Sequence, residues 1–592
     1  MSLETLNDIL MTVSRSRRGR VMLQKGALGW VPTSAAEIYR GVVGVARALE
    51  SWGVRKGDRV AILSENRPEW TITDFAALSL GAVTVPVYST QTAEQTAFLL
   101  NDSGARIIAV STKLQLEKML TIQRHTPVER IIVMDAVETA HAVQMQRLML
   151  SGPPGPDPEF DARSQSIQPD DLATIIYTSG TTGTPKGAML THGNMASNIA
   201  CSMEAFGFGT KEEVSVSFLP LSHVTARHVD FALLYRGVAL AYCPDIGQLA
   251  QVLTEVQPNI FIAVPRVYEK IRQQVIVRTT GFPNSAIYRW ALAVGRAYRA
   301  ETLAGAPPSA LSRKMKVANR LVFSRVRAGM GGKAEEFISG GAPLGRELAE
   351  WYADIGIQIH EGYGLTETSP VIAVNTPAAH KLGTVGKPLP NVEVRLADDG
   401  EVLVRGPSIF KGYWNRPEET RDAFVDGWFK TGDIGQIDAE GYLSITDRKK
   451  DLIKTSGGKF VAPQPIENSL KLNPLIGTAV VIGDKRKFPA VLISPHFPLL
   501  EDWARANQID TGSRQTLVAH PKVQALYEGI IEDLNRNLAR FEQLKRVLLV
   551  AEEFSASDGT LTHTFKVRRR GIEERYQTLI DDMYKKADSA GG

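Results

Sequence analysis

Eleven consecutive residues, Tyr177-Thr-Ser-Gly-Thr-Thr-Gly-Thr-Pro-Lys-Gly187, hold four threonines, one serine, three glycines and a lysine. Glycines let backbone N–H groups approach a polyanion, hydroxyls donate to its oxygens, and Lys186 supplies a point charge. The string is not a Walker A loop, which requires Gly-Lys-[Ser/Thr]; Lys186 stands between Pro185 and Gly187. A flexible hydroxyl-rich turn is the bland alternative. Two further glycine clusters, Gly340–Pro343 and Gly362–Glu367, carry polar neighbours. No Ser-His-Asp arrangement or Cys-His pair is evident, and Cys201 and Cys243 offer no metal-ligand spacing. The chemistry implied is handling of a phosphorylated ligand by charge and alignment, without a nucleophilic side chain.

These clusters need a scaffold. Strand-like runs at Arg59–Ser64, Val83–Val87 and Arg106–Val110 alternate with helical runs at Ser34–Trp52, Thr71–Leu80 and Thr92–Asp102. Further strands are expected at Leu172–Tyr177, Val214–Leu219, Val238–Cys243, Asn259–Val264, Glu335–Ser339 and Ile357–Glu361, with helices at Thr191–Phe206 and Leu344–Ala353. Such alternation predicts a mainly parallel sheet covered by helices. The three glycine-rich clusters all follow strands, where ligands of open α/β sheets bind, so they point to one site. From Gly383 short strands dominate, and Asp398-Asp399-Gly400 between Val392–Leu396 and Glu401–Arg405 signals a hairpin. A last α/β segment carries strands at Thr478–Ile482, Ala490–Ser494 and Val547–Val550.

The fold class expected is therefore α/β. A large N-terminal domain, 1–449, is divided into α/β subdomains 1–168 and 169–382 and a small β-barrel-like subdomain 383–449, followed by a smaller mobile α+β domain, 450–592. A chain of 592 residues fits several domains at about 150 residues each. Apolar residues at 43% and charged residues at 22% exclude a disordered or fibrous chain. Lys+Arg 68 against Asp+Glu 64 is too balanced for a nucleic-acid coat. The first twenty residues lack the apolar core of a secretory signal, and no run suits a bilayer span. The expected setting is cytoplasmic, with peripheral contact at the inner membrane face left open.

The eleven-residue string resembles the phosphate loop of the acyl- and aryl-CoA synthetase, luciferase and peptide-synthetase adenylation superfamily. Ser339-Gly-Gly-Ala-Pro343, Glu361-Gly-Tyr-Gly-Leu-Thr-Glu367, Lys430-Thr-Gly-Asp433, Asp447-Arg-Lys-Lys-Asp451, Gly457-Gly-Lys459 and Lys566-Val-Arg568 stand in that family's order and spacing. The resemblance spans Trp30 to Tyr584. It implies a two-step reaction: a carboxylate and ATP give an acyl-adenylate and pyrophosphate, then the CoA thiol displaces AMP.

The roles that follow are those the resemblance implies. Thr178, Ser179, Gly180, Thr181, Thr182, Gly183 and Lys186 cradle the β- and γ-phosphates. Glu367, with Thr178, holds Mg²⁺, and Thr366 contacts the α-phosphate. Gly341, Ala342 and Tyr363 sandwich the adenine. Asp433 accepts from the ribose hydroxyls, and Arg448 adds a ribose or phosphate contact. Lys566 reaches the carboxylate and α-phosphate oxygens during adenylation. Its surroundings depart from the family's commoner Pro-Thr-Leu-Lys, with His563 in place of the proline. The hinge between half-reactions falls at Lys450, and Gly457, Gly458 and Lys459 resemble the pattern that accepts CoA.

Within the superfamily the chain is most similar to long-chain fatty acyl-CoA synthetases, through Leu219-Pro-Leu-Ser-His223, Leu234-Tyr-Arg-Gly237, Val264-Pro-Arg-Val-Tyr-Glu-Lys270 and Trp351-Tyr-Ala-Asp-Ile-Gly356. His223 is then a wall of the acyl pocket, or else a structural histidine. Gly340, Gly362 and Gly364 either keep the pocket open or serve loops that need φ > 0. The partners implied are fatty acid, ATP and CoA, with a homodimer compatible. Alternatives are a fatty acyl-AMP ligase loading a carrier protein and a medium-chain or aryl acid–CoA ligase. Residues 289–333 carry ten Lys and Arg against the single Glu301 plus apolar faces. They suit either an anionic lipid surface or packing on the protein itself.

Overall fold

The computed structural model describes the chain apart from residues 1, 179–183, 280, 282, 304–308, 457–458, 556–557, 563–566 and 590–592. Its framework is two large sheets. In the eight-stranded one, strands Val83–Val87, Arg59–Leu63, Ile107–Val110, Arg130–Val133 and Val143–Gln144 run parallel to one another. Leu172–Thr178 joins them in parallel through Thr84↔Thr174, then turns back into the antiparallel strand Lys186–Thr191. The strands Leu172–Thr178 and Lys186–Thr191 on either side of the phosphate-loop string form a hairpin, with Thr178 opposite Lys186. The edge strand Gly412–Tyr413 completes the sheet.

The nine-stranded sheet has a parallel centre of Ile359–Gly364, Glu336–Ser339, Ile260–Ala263, Val214–Ser217, Ala239–Tyr242 and Met22–Gly26, with antiparallel strands at both edges. The α/β alternation read from the sequence is present, and both sheets are mixed only towards their edges, where antiparallel strands are added. The two sheets, however, exchange strands across the expected 168/169 boundary. Strands Leu172–Thr178 and Lys186–Thr191 belong with the earlier segment, while Met22–Gly26 and Gly29–Thr33 lie beside Ala239–Tyr242. A strand buried along its centre, such as Leu172–Thr178, needs neighbours on both sides, and space rather than chain order supplies them.

Helices Ala35–Ser51, Pro68–Ser79 and Val224–Arg236 bring the two sheets into one core. Between the last two, Arg227 and Asp74 form a 2.7 Å ion pair with no side-chain exposure. Each charge is tolerable there only because the other is present. The Asp398-Asp399-Gly400 turn closes the hairpin Glu393–Leu396/Glu401–Arg405 inside a five-stranded antiparallel sheet with Trp428–Ile437, Phe424–Val425 and Leu443–Arg448. The C-terminal part builds a three-stranded sheet from Ile476–Ile482, Ala490–Pro495 and Val547–Leu549.

The basic stretch forms helices Asn284–Leu303, Ser309–Ala318 and Ser324–Ala328. Ala291, Val294 and Phe323 are buried, and a Cβ on Gly295 would come within 1.9 Å of the Asp354 carbonyl oxygen. Arg299 pairs with Asp354 at 2.8 Å. One face is therefore packed on the protein itself, while Trp290, Val317 and Leu321 stay exposed. Among the described residues no helix is long and apolar enough to cross a membrane.

Candidate functional site

The parallel neighbours Glu336–Ser339 and Ile359–Gly364 place Ser339 opposite Glu361, so the segments following them emerge side by side. The first leads into Gly340, Gly341 and Ala342, the second into Tyr363 and the short turn Thr366–Thr368. Gly341 has φ +83°, a left-handed conformation that a side chain would strain. The expected convergence of glycine-rich segments at strand ends is met for these two.

Tyr363 donates its hydroxyl to Asp433 Oδ2 at 2.7 Å, and Arg448 Nε lies 3.1 Å from Asp433 Oδ1. Asp433 and Arg448 face each other across the antiparallel strands Trp428–Ile437 and Leu443–Arg448. Three residues of separate motifs, each expected to bind the nucleotide, therefore form one row joined by a hydrogen bond and an ion pair. Burial, then the Asp433 charge, raises the Tyr363 hydroxyl well above its ordinary range, so it remains a donor.

Glu367 stands in the turn after strand Ile359–Gly364. Its carbonyl accepts from Phe410 N at 2.9 Å and its Oε1 accepts from the Tyr413 hydroxyl at 2.9 Å. Thr366 opens that turn, where its carbonyl accepts from Ser369 N. Lys186 Nζ lies 5.4 Å from the centroid of the Tyr413 ring. The phosphate hairpin and the acidic turn, carried by different sheets, thus meet at Tyr413. Ser179, Gly180, Thr181, Thr182 and Gly183 lie outside the described residues, as do Gly457, Gly458 and Lys566.

Two residues given no role from the sequence belong to this geometry. Glu361 is buried and accepts from Leu344 N at 3.0 Å, fixing the end of the Gly340–Pro343 segment; burial pushes its carboxyl up to about 7. Its place at the end of a parallel strand was a usable signal. Tyr413 is the other. Nothing local marks it, because it arrives by a strand pairing more than two hundred residues apart in sequence.

The remaining pocket residues are mixed. His223 caps helix Val224–Arg236, its Nδ1 accepting from Thr225 N at 3.1 Å. Gly340, Gly362 and Gly364 do not adopt the left-handed conformation. A Cβ on Gly364 would stand 1.7 Å from the Pro370 carbonyl oxygen, so close backbone approach explains that glycine. At Gly340 and Gly362 the nearest atoms would be 3.7 and 3.5 Å away, an ordinary contact. Lys450 follows Arg448 in a tight turn, in which Asp451 N and Leu452 N both donate to the Arg448 carbonyl. Burial, then the Arg448 charge, lowers its ammonium. Lys459 shares a small hairpin with Lys454, closed by Thr455 N donating to its carbonyl at 3.0 Å.

Two mixed sheets with loops converging at their strand ends, joined to a smaller C-terminal unit, are the architecture of an adenylate-forming enzyme. A family model for AMP-binding enzymes matches residues 13–414, and one for the AMP-binding enzyme C-terminal domain matches 450–588. The chain belongs to the AMP-binding enzyme family. It is 37% identical over 559 residues to the long-chain-fatty-acid–CoA ligase FadD15 of Mycobacterium tuberculosis, covering 94% of this chain and 93% of that protein. It is 32% identical over 597 residues to the long-chain-fatty-acid–CoA ligase ACSBG1 of Homo sapiens, covering 94% and 82%. Among solved structures, the adenylation domain of a carboxylate reductase from Mycobacterium chelonae superposes with a TM-score of 0.76 at 22% identity, covering 98% of this chain and 91% of that one.

Proposed function

We propose that this chain is a long-chain fatty acid–CoA ligase working through an acyl-adenylate. The observation that carries the reading is the meeting of Lys186 and Glu367 at one side chain, beside the Tyr363–Asp433–Arg448 row, in a chain so similar to long-chain-fatty-acid–CoA ligases. In the first half-reaction a carboxylate oxygen attacks the α-phosphorus of ATP, and the bond to the β-phosphate oxygen breaks to release pyrophosphate. In the second, the CoA sulfur attacks the acyl carbonyl, its proton passes to solvent, and AMP leaves. Both steps crowd negative charge, so neutralisation and alignment are what the protein must supply.

Lys186 and the Thr178–Gly183 segment take the β- and γ-phosphates. Tyr363, Gly341 and Ala342 hold the adenine, Asp433 and Arg448 the ribose, and Thr366 the α-phosphate. Among the described residues no cluster of three or more acidic, His or Cys side chains forms a metal cage. A lone carboxylate such as Glu367, shared with nucleotide phosphates, is a donor set that suits Mg²⁺. Bound there, with Thr178, the ion would screen the phosphate charges. His223, Gly340 and Gly362 line the acyl side. Residues 450–592 act as a mobile domain whose Gly457-Gly458-Lys459 segment favours CoA over a carrier protein as acceptor. The exposed Trp290 and Leu321 amid the basic helices support contact with an anionic membrane face.

Specificity tests this reading. Each buried CH₂ adds up to about 0.8 kcal/mol of binding, so palmitate should exceed acetate and benzoate in kcat/KM by several powers of ten. Preference for benzoate or acetate in a chain-length series would overturn the long-chain reading and leave the adenylation chemistry standing.

The hinge gives a second expectation. One site cannot present both Lys566 and a CoA channel to the same adenylate, so the C-terminal domain must turn between half-reactions. Arg266 and Arg272 donate to the carbonyls of Gly477 and Leu472, contacts that such a turn would exchange. Proline fixes φ near −65° and also restricts the residue before it, here Lys449. Lys450→Pro should keep acid-dependent pyrophosphate exchange and lose acyl-CoA formation, whereas Lys450→Ala should be mild. Full thioester activity in the proline variant places the pivot elsewhere.

A further inference from the structure

Tyr413 lies in none of the motifs that carry the family resemblance, yet it touches two of them. Strand Gly412–Tyr413 pairs with the strand leaving the phosphate hairpin, Tyr413 opposite Ala188, and Trp414 N donates to the Gly187 carbonyl at 2.8 Å. A second tie, Tyr413 N to Thr420 Oγ1 at 2.9 Å, holds the backbone from the other side. From this fixed position the hydroxyl reaches Glu367 Oε1 at 2.9 Å and the ring face sits 5.4 Å from Lys186 Nζ.

Lys186 and Glu367 carry opposite charges and both face Tyr413, yet no ion pair joins them among the described residues. A direct pair would cancel the two charges that a polyphosphate and its cation need, and ligand entry would have to break it. An aromatic face attracts an ammonium, and a phenol bound to a carboxylate adds a charge-assisted hydrogen bond. Tyr413 gives each charge a separate neutral partner.

We infer that Tyr413 is a positioning residue for nucleotide binding, holding Glu367 and Lys186 apart and aimed at one phosphate–cation unit. The inference rests on the proposed metal role of Glu367. Tyr413→Phe removes only the hydroxyl and keeps the ring that packs on Phe410 at 4.9 Å and faces Lys186. Tyr413→Leu removes both functions.

Calorimetric titration with ATP, in excess Mg²⁺ and again in EDTA, separates the contributions without any turnover. Losing a hydrogen bond to a charged group should weaken ATP binding of Tyr413→Phe by about tenfold in Mg²⁺. In EDTA the same variant should stay within about twofold of the parent, since the ring contact to Lys186 remains. Tyr413→Leu should be weaker in both media. Glu367→Gln, run alongside, should lose the advantage that Mg²⁺ confers. If Tyr413→Phe binds like the parent in Mg²⁺ while Glu367→Gln is weakened, the inference fails and the metal reading stands. If Glu367→Gln binds like the parent, the metal reading fails and the inference falls with it.

Discussion

Lys566→Ala should lower acid-dependent ATP–pyrophosphate exchange by about 10²–10³-fold, the scale of losing one preorganised charge at a developing anion. Thioester formation from supplied acyl-adenylate should remain near the parent rate. The asymmetry follows from what each half-reaction must join. Adenylation brings a carboxylate against the α-phosphate, two anions whose approach a lysine charge relieves. In the second step that bond is already made, and the acyl carbonyl meets a sulfur nucleophile instead. Residues 563–566 lie outside the described chain; on either side of them Leu561 and Val567 pair in an isolated antiparallel bridge. Equal losses in both half-reactions would refute the assignment.

Glu367→Gln should reduce overall ATP-dependent turnover by about 10²-fold or more, because a neutral amide is a poor partner for a hard dication and leaves phosphate charge unscreened. The substitution keeps shape, and the backbone contact from Phe410 N to the Glu367 carbonyl is untouched by it. Raising Mg²⁺ should recover only part of the loss. Near-parent turnover at saturating Mg²⁺ would count decisively against Glu367 as the metal-binding carboxylate.

Much of this site was legible in the sequence because its signals are local. A short apolar strand followed by glycines and hydroxyls marks a strand end, and Glu336–Ser339 and Ile359–Gly364 fall within a residue or three of where alternation put them. Asp398-Asp399-Gly400 specified its hairpin because glycine takes the left-handed turn position, φ +82° at Gly400. What escaped depends on pairing between distant segments. Strand Met22–Gly26 lies against Ala239–Tyr242, and two-residue Gly412–Tyr413 against Lys186–Thr191. An apolar strand says that it will be buried, not beside which neighbour. Glu361 escaped for a different reason: a carboxylate inside a glycine-rich motif looks solvated until burial and the Leu344 amide are seen around it. The glycines show the same limit, since sequence could not tell the close approach at Gly364 from the open space at Gly340.

The central claim is that one site activates a long-chain fatty acid in two separable steps. Isotope exchange between ATP and pyrophosphate, driven by palmitate without CoA and then chased with CoA, tests it most directly. The account predicts palmitate-dependent exchange in the absence of CoA, followed on CoA addition by equal amounts of AMP and palmitoyl-CoA. Absence of palmitate-dependent exchange, or ADP and inorganic phosphate in place of AMP and pyrophosphate, would contradict it.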